Sequence, residues 1–294
     1  MNKVWLEVAL NGGRGRAWQP TMPLSVDDIV DEGVACAAEG AAIIHFHAYD
    51  AATGLQQMGN LEFHRRIIEG IRAKCDAIVY SSTAMRLLGQ PPLGAERFSV
   101  DEALLKEGLL EWLVLDPGSM VMAHQSDLAN GYVYLNEVGE IIEGYQLAKD
   151  HDLSLAVAIY EFGFARLARR MASSVVKDRD PAIYRLMYSQ GFSYGLPPSA
   201  ASLRVTNEAL GLLGITRWML AGLDFDVFAL ARDALELGCD LRTGLEDAPR
   251  GCGQTNIELL KQAVSACRAA GCGLATPADI RAATINPLPA HGRS

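Results

Sequence analysis

Eight times along this chain a short apolar run, rich in β-branched and aromatic residues, gives way to a longer stretch whose apolar residues recur at helical spacing. Such alternation is the sequence form of repeated βα units, and it predicts a mostly parallel sheet with helices packed outside it. In order, the predicted pairs are "VWLEVAL" with "SVDDIVDEGVACAAEG", "AAIIHFHAY" with "LEFHRRIIEGIRAKC", "AIVYSSTA" with "FSVDEALLKEG", and "EWLVLDPGSM" with "EVGEIIEGYQLAKDHD", the last pair separated by a longer loop to about Asn136. The second half repeats the pattern with "LAVAIYEFG" and "FARLARRMASS", "AIYRLMYSQGF" and "SAASLRVTNEALGLL", "RWMLAGL" and "DVFALARDALELG", and "CDLRTGLED" and "NIELLKQAVSACRAAG". Ser25 and Asp28 give the first helix a capping-box-like start. Eight units in 294 residues predict an α/β fold, a TIM (β/α)8 barrel spanning residues 1–294 as a single domain. An open doubly wound sheet would announce itself by G-x-G-x-x-G after the first strand. "NGGRGR" does not match that pattern, and Gly12, Gly13 and Gly15 are expected instead to let the backbone turn tightly at the strand end.

Charge narrows the partners. Lys and Arg total 26 against 35 Asp and Glu, for a formal charge of −9 and a pI near 5.2. That balance argues against a nucleic-acid surface or a polybasic membrane anchor, so an anionic substrate needs local arginines to hold it. "MNKVWLEVALNGG" lacks a signal-peptide pattern, and no apolar run reaches roughly 18 residues, so the expectation is a cytoplasmic protein with no membrane partner. Six cysteines are scattered without C-x-x-C spacing; Cys36 and Cys267 fall in helical patterns and read as small core residues.

In a barrel of this kind the chemistry sits at the C-terminal ends of the strands. At the end of the second strand His45 and His47 share one face, because successive side chains alternate across a strand. Two imidazoles on one face suit a metal ion, but a third ligand is needed. Alone, Glu246 in "LRTGLEDAPR" would read as a loop carboxylate. It lies at the end of the eighth strand, however, with only the first strand between it and the histidines, and so completes a His, His, carboxylate set for Zn2+. Arg242 shares the parity of Gly244 and Glu246, whereas Asp247 has the other unless the strand has ended. Arg242 with Asp247 reads as either an acid/base unit or a structural ion pair. Ser81, Ser82 and Thr83 after the third strand can hold a carboxylate or an oxyanion, although turn or N-cap roles suit the same residues. Asn11, Arg14 and Arg16 follow the first strand, where the arginines could supply local positive charge. His64, His124, His151 and His291 are assigned no chemistry.

Taken together, "HFHAYD" after strand 2, "SST" after strand 3, "LDPGSM" after strand 4, and "RTGLEDAP" followed by "GQTNIELLKQA" resemble the β-keto acid cleavage enzymes, typified by 3-keto-5-aminohexanoate cleavage enzyme. The resemblance runs from "ALNGGR" to "TPADIRAATI". It implies zinc on His45, His47 and Glu246, an Asp247 and Arg242 acid/base dyad, and Ser82 at the substrate or thioester. Asn11, Arg14, Ser81, Thr83 and Ser119 complete the expected substrate contacts. The implied reaction joins a β-keto acid and acetyl-CoA, as co-substrate, to give acetoacetyl-CoA and a further CoA-ester product.

The resemblance also implies a homotetramer, and apolar stretches such as "FARLARRM" are consistent with subunit contacts. Two positions depart from the aminohexanoate enzyme. Ala158 stands where that enzyme carries an ammonium-binding glutamate on strand 5, with Glu161 nearby, and Arg14 stands where it has an acidic side chain. A neutral or anionic distal group is therefore expected on the substrate. Two other readings compete: a zinc hydrolase on the same barrel, which would normally carry H-x-H on strand 1 with further histidines, and a barrel that binds metal or acyl ligand without turnover.

Overall fold

The computed structural model describes residues 3–87, 94–176 and 181–285. Eight parallel strands form the barrel: β1 Leu6–Ala9, β2 Ile43–Phe46, β3 Ile78–Ser81, β4 Trp112–Leu115, β5 Ser154–Ile159, β6 Ile183–Tyr188, β7 Trp218–Gly222 and β8 Asp240–Thr243. They are hydrogen-bonded in the order β3, β2, β1, β8, β7, β6, β5, β4. β3 and β4 lie against each other, so the sheet rolls up with one unlaced seam. The helices that follow the strands are α1 Val26–Ala38, α2 Leu61–Arg72, α3 Ser99–Lys106, α4 Val138–Asp150, α5 Phe162–Ser174, α6 Ala200–Leu212, α7 Phe228–Glu236 and α8 Asn256–Ala269.

Period-two alternation divides the core into two shells. Ile43, Ile78, Tyr80, Trp112, Val114, Ala156, Ile183 and Met219 pack with one another inside the barrel. Leu6, Val8, Ile44, Phe46, Val79 and Leu113 face the helices. A further helix, α9 Pro277–Ile285, brings Ile280 into the inner cluster beside Trp5 and so plugs the N-terminal mouth.

The helix starts follow the sequence. Ser25 Oγ accepts from the Asp28 N–H at 3.0 Å, one half of a capping box. Thr255 and Glu258 form both halves at α8.

Three expectations are corrected. The first strand run is split: Lys3–Val4 pairs with Gly273–Leu274, and only Leu6–Ala9 enters the barrel. The "longer loop" before α4 is an antiparallel hairpin, Met120–His124 with Asp127–Leu135, joined by Arg86–Leu87. Its alternating Met, Val and Tyr residues on either side of a polar turn are strand chemistry that a βα template absorbs into a loop. Gln125 N–H donates to Gly191 O at 2.8 Å and Ser193 N–H to Ala123 O at 3.0 Å, which carries the hairpin across the mouth. Finally, the apolar residues of "FARLARRM" offer no subunit surface. Phe164, Ala165, Ala168 and Met171 are buried in the core, and the exposed face of α5 carries Arg166 and Arg170.

All six cysteines are free, and burial pushes the Cys36 and Cys267 thiols up, as suits inert core residues. Among the described residues, no helix is long and apolar enough to cross a membrane.

Candidate active site

Two glycines bring the eighth strand's carboxylate to the histidines. After Thr243 the chain turns at Gly244 with φ +131°, and a Cβ there would stand 2.2 Å from Ala9 O. Gly12, at φ +73°, lies so close to Glu246 that a Cβ would meet its Cγ at 2.5 Å. Only glycine tolerates either approach, and between them Glu246 reaches the end of β2. There Glu246 Oε2 is 3.4 Å from His45 Nε2, and Oε1 is 3.4 Å from His47 Nε2. One ligand atom from each residue fits within 4.8 Å of the others.

The histidines are held from behind. Asn11 Oδ1 accepts the His47 N–H at 2.8 Å and Nδ2 donates to His47 O at 2.9 Å, fixing the backbone on both sides. Its remaining bonds go to Gly12 N and Pro23 O. The His47 ring presents Nδ1 to the Gln56 amide at 2.7 Å and to Ser82 Oγ at 3.2 Å. Burial, reinforced by Arg242, holds His45 well below its ordinary pKa, although Glu246 pulls the other way. For Glu246 burial works upward, but Arg242, then His45 and His47, outweigh it and keep the carboxyl well below the usual range.

Beneath this trio lies a buried ionic ensemble. Arg242 donates through Nε to both Asp247 oxygens at 3.0 Å and through Nη2 to Oδ1 at 2.8 Å. Its Nη2 also stands 2.7 Å from Glu246 Oε2, and Nη1 is 3.3 Å from Glu7 Oε1. Glu7 Oε1 also accepts the Tyr80 hydroxyl at 2.7 Å, and Arg185 Nη1 donates to that same hydroxyl at 3.0 Å. Burial, with the Glu246 charge adding to it, pushes Asp247 up to about 7 against the pull of Arg242. Two arginines, Arg185 and Arg242, thus face four carboxyls, Glu7, Asp116, Glu246 and Asp247, within one water-poor region. The set is short of positive charge.

The cavity above is walled by Arg14, Ser82, Thr83, Asp116, Tyr134, Ala158, Tyr160, Arg185, Arg242 and several methionines. Arg14 stacks over Phe192 at 4.5 Å and Trp18 at 5.2 Å. Ala158 does face the cavity, whereas Glu161 accepts from Gly195 N–H outside it.

Three expected substrate contacts lie elsewhere. Asn11 is consumed by the bonds just described. Ser81 is buried on the face opposite Ser82, as alternation requires. Ser119 Oγ bonds only the backbone of Asn136. Asp247 too sits behind Arg242, which presents its own guanidinium to the cavity. Of the remaining histidines, His64 bonds Asn60 O at 2.8 Å, His124 bonds Asp224 at 2.9 Å and His151 caps α4, while His291 lies outside the described residues. Glu7, Gln56, Asp116 and Arg185 were not singled out from the sequence. A signal existed for three of them: Glu7, Asp116 and Arg185 continue the inward period of strands otherwise filled by apolar residues, where charge is costly to bury.

The family model of the beta-keto acid cleavage enzymes matches residues 3–284. The chain belongs to that family. It is 26% identical over 284 residues to 3-oxoadipate:acetyl-CoA acetyltransferase of Cupriavidus necator, covering 94% of this chain and 93% of that one. It is 23% identical to the 3-keto-5-aminohexanoate cleavage enzyme of Fusobacterium nucleatum, covering 96% and 97%. Among solved structures, the binary complex of ObcA with oxaloacetate superposes with a TM-score of 0.66 at 16% identity, over 90% of this chain and 67% of that one. This likeness speaks to the barrel fold alone.

Proposed function

We propose that this member of the family exchanges acyl groups between a β-keto acid and acetyl-CoA, with zinc held by His45, His47 and Glu246. The observation that carries the reading is the convergence of both imidazole Nε2 atoms on one carboxylate, with the Arg242 and Asp247 pair directly behind it. Two imidazoles and a carboxylate are a zinc donor set that leaves a position for substrate. The charge deficit of the buried ensemble is of the sign a divalent cation would fill. Bound there, zinc supplies a Lewis acid for the substrate's keto and carboxylate oxygens. For His47 to offer Nε2, its Nδ1 must carry the proton, so Ser82 Oγ accepts it, as does Gln56 once its amide is turned to bring the oxygen to the place its nitrogen now holds.

Atom balance corrects the product set implied by the resemblance. One CoA enters, so only one thioester can leave. The β-keto acid, an acyl group joined to a carboxymethyl unit, reacts with acetyl-CoA to give acetoacetate and the CoA ester of that acyl group. Arg242 orients the substrate carboxylate through its cavity-facing donors. The Arg242 and Asp247 pair takes the proton from the carbon between keto and carboxylate groups: Arg242 reaches the cavity, and Asp247 behind it, a carboxyl near 7, accepts the proton that the guanidinium passes back. That carbon attacks the acetyl carbonyl and expels CoA thiolate. The thiolate then takes the substrate's acyl group as the old carbon–carbon bond breaks, and the proton returns to the departing acetoacetate. Ser82 offers its hydroxyl to the developing oxyanion.

The distal group is neutral or anionic. Arg14 reaches the cavity with no carboxylate partner among the described residues and disfavours an ammonium, and Ala158 offers nothing to bind one. The Cupriavidus relative is named for a substrate with a second carboxylate, 3-oxoadipate. As a test, His45→Ala should lose zinc and at least about a hundredfold of turnover at equal metal concentration. Full metal content and turnover in that variant would refute the site.

A further inference from the structure

In a barrel closed in this strand order, β4 stands directly across from β8, so the wall facing Glu246 is built by β4. Trp112 and Val114 point inward on that strand, and the same period carries Asp116 to the cavity wall just beyond its end. Asp116 Oδ2 accepts the hydroxyl of Tyr134, which the hairpin delivers as it crosses the mouth. Oδ1 is buried and has no hydrogen-bond partner among the described residues. Met58, Met122, Tyr160, Met187 and Leu223 line the same cavity, and Arg185 is the cavity cation that bears most on Asp116. Leaving a buried carboxylate oxygen unbonded costs on the order of 1–3 kcal/mol or more. An unmet acceptor lining the cavity is an arrangement for a ligand that brings a donor.

The charged groups around it restrict which donor. An ammonium would approach Arg14, Arg185 and Arg242 in the same cavity, and a carboxylate would meet Asp116 itself. A hydroxyl carries no charge and can both donate and accept, so it suits Asp116 whether or not that carboxyl is protonated. We infer that Asp116 is a specificity-determining residue, and that the keto acids taken by this site carry a hydroxyl on the distal part of the acyl chain. The inference rests on the keto acid reading above and narrows its neutral class. Tyr134 is the positioning residue, since it occupies Oδ2 and leaves Oδ1 to the substrate.

The test is calorimetric titration of the zinc-loaded protein with short 3-oxo acids that differ only at the distal carbon, which bears hydrogen, hydroxyl, ammonium or carboxylate. Acetyl-CoA is left out. The hydroxy acid should bind at least about tenfold more tightly than its deoxy analogue. Asp116→Ala should bring that ratio close to one. Asp116→Asn, which keeps the side chain's shape should the alanine variant not fold, should reduce it to about threefold, because a neutral acceptor bonds roughly half as strongly. A wild-type ratio near one, a ratio that survives in Asp116→Ala, or tightest binding of the ammonium or carboxylate acid would overturn the inference. Sorting and exchange fail separately. A protein that sorts these acids but forms no new thioester refutes the exchange alone, and one that forms thioesters but binds hydroxy and deoxy acids equally refutes the sorting alone.

Discussion

Arg242→Met tests the buried ensemble most severely. The guanidinium is about 1% exposed and stands against Asp247, Glu246 and Glu7 at 2.7 to 3.3 Å. Removing it leaves three carboxyls in a region from which water is excluded, with Arg185 the remaining cation beside Glu7. Breaking a buried pair by deleting one partner costs about 3–5 kcal/mol, which for a chain of 294 residues corresponds to a fall in Tm of about 5–8 °C. The deficit should depend on pH, with a definite sign. Without the arginine, Glu246 is no longer held low and Asp247, already raised to about 7, is pushed higher, so the folded variant binds more protons than the folded wild type and regains stability relative to it as pH falls. The gap in Tm between wild type and variant should therefore narrow from about pH 8 to about pH 5. Excess zinc should also recover part of it, because a cation bound to the folded state alone offsets the lost charge. Thermal unfolding followed by circular dichroism at several pH values reads all three effects. A loss under about 1 kcal/mol, or a gap independent of pH, would refute the view that Arg242 neutralises this ensemble.

Other outcomes follow from the same geometry. Gln56→Leu should weaken zinc binding by about 10- to 100-fold in a chelator competition, since it removes one hydrogen-bond partner of His47 Nδ1, and unchanged affinity would remove Gln56 from the support of the site. Gly244→Ala should lose several kcal/mol and with it the metal site, because the new Cβ meets Ala9 O; a variant with wild-type Tm and zinc content would count against the close approach of β8 to β1. Asp247→Asn should keep zinc yet lose most turnover, and an unchanged kcat would exclude Asp247 as the proton carrier. Arg14→Glu should shift preference toward cationic keto acids, with an identical substrate profile as the contrary result.

Much of the fold was legible because the barrel repeats one local pattern eight times, so an error in one unit leaves the others intact. The convergence of His45, His47 and Glu246 was legible for a related reason: period two puts the two histidines on one face, and strand adjacency brings Glu246 beside them. What escaped has physical causes. The hairpin over the mouth breaks the βα rhythm, and its strands pair with each other rather than with the barrel. Asn11 has the residue type and position of a substrate contact, and only the hydrogen bonds to His47 show that it holds that histidine's backbone. Ser119 was misread in the same way. Asp116 and Arg185 follow the inward period of their strands, yet their proximity depends on the lateral order of β4, β5 and β6, which no local window contains.

The most direct test of acyl exchange is mass spectrometry of the CoA pool after zinc-loaded protein has been incubated with acetyl-CoA and a panel of β-keto acids. A new thioester should form whose mass follows the acyl group of whichever keto acid is supplied, with acetoacetate released alongside it. Loss of acetyl-CoA to free CoA with no new thioester, or an unchanged CoA pool with zinc bound, would contradict the account.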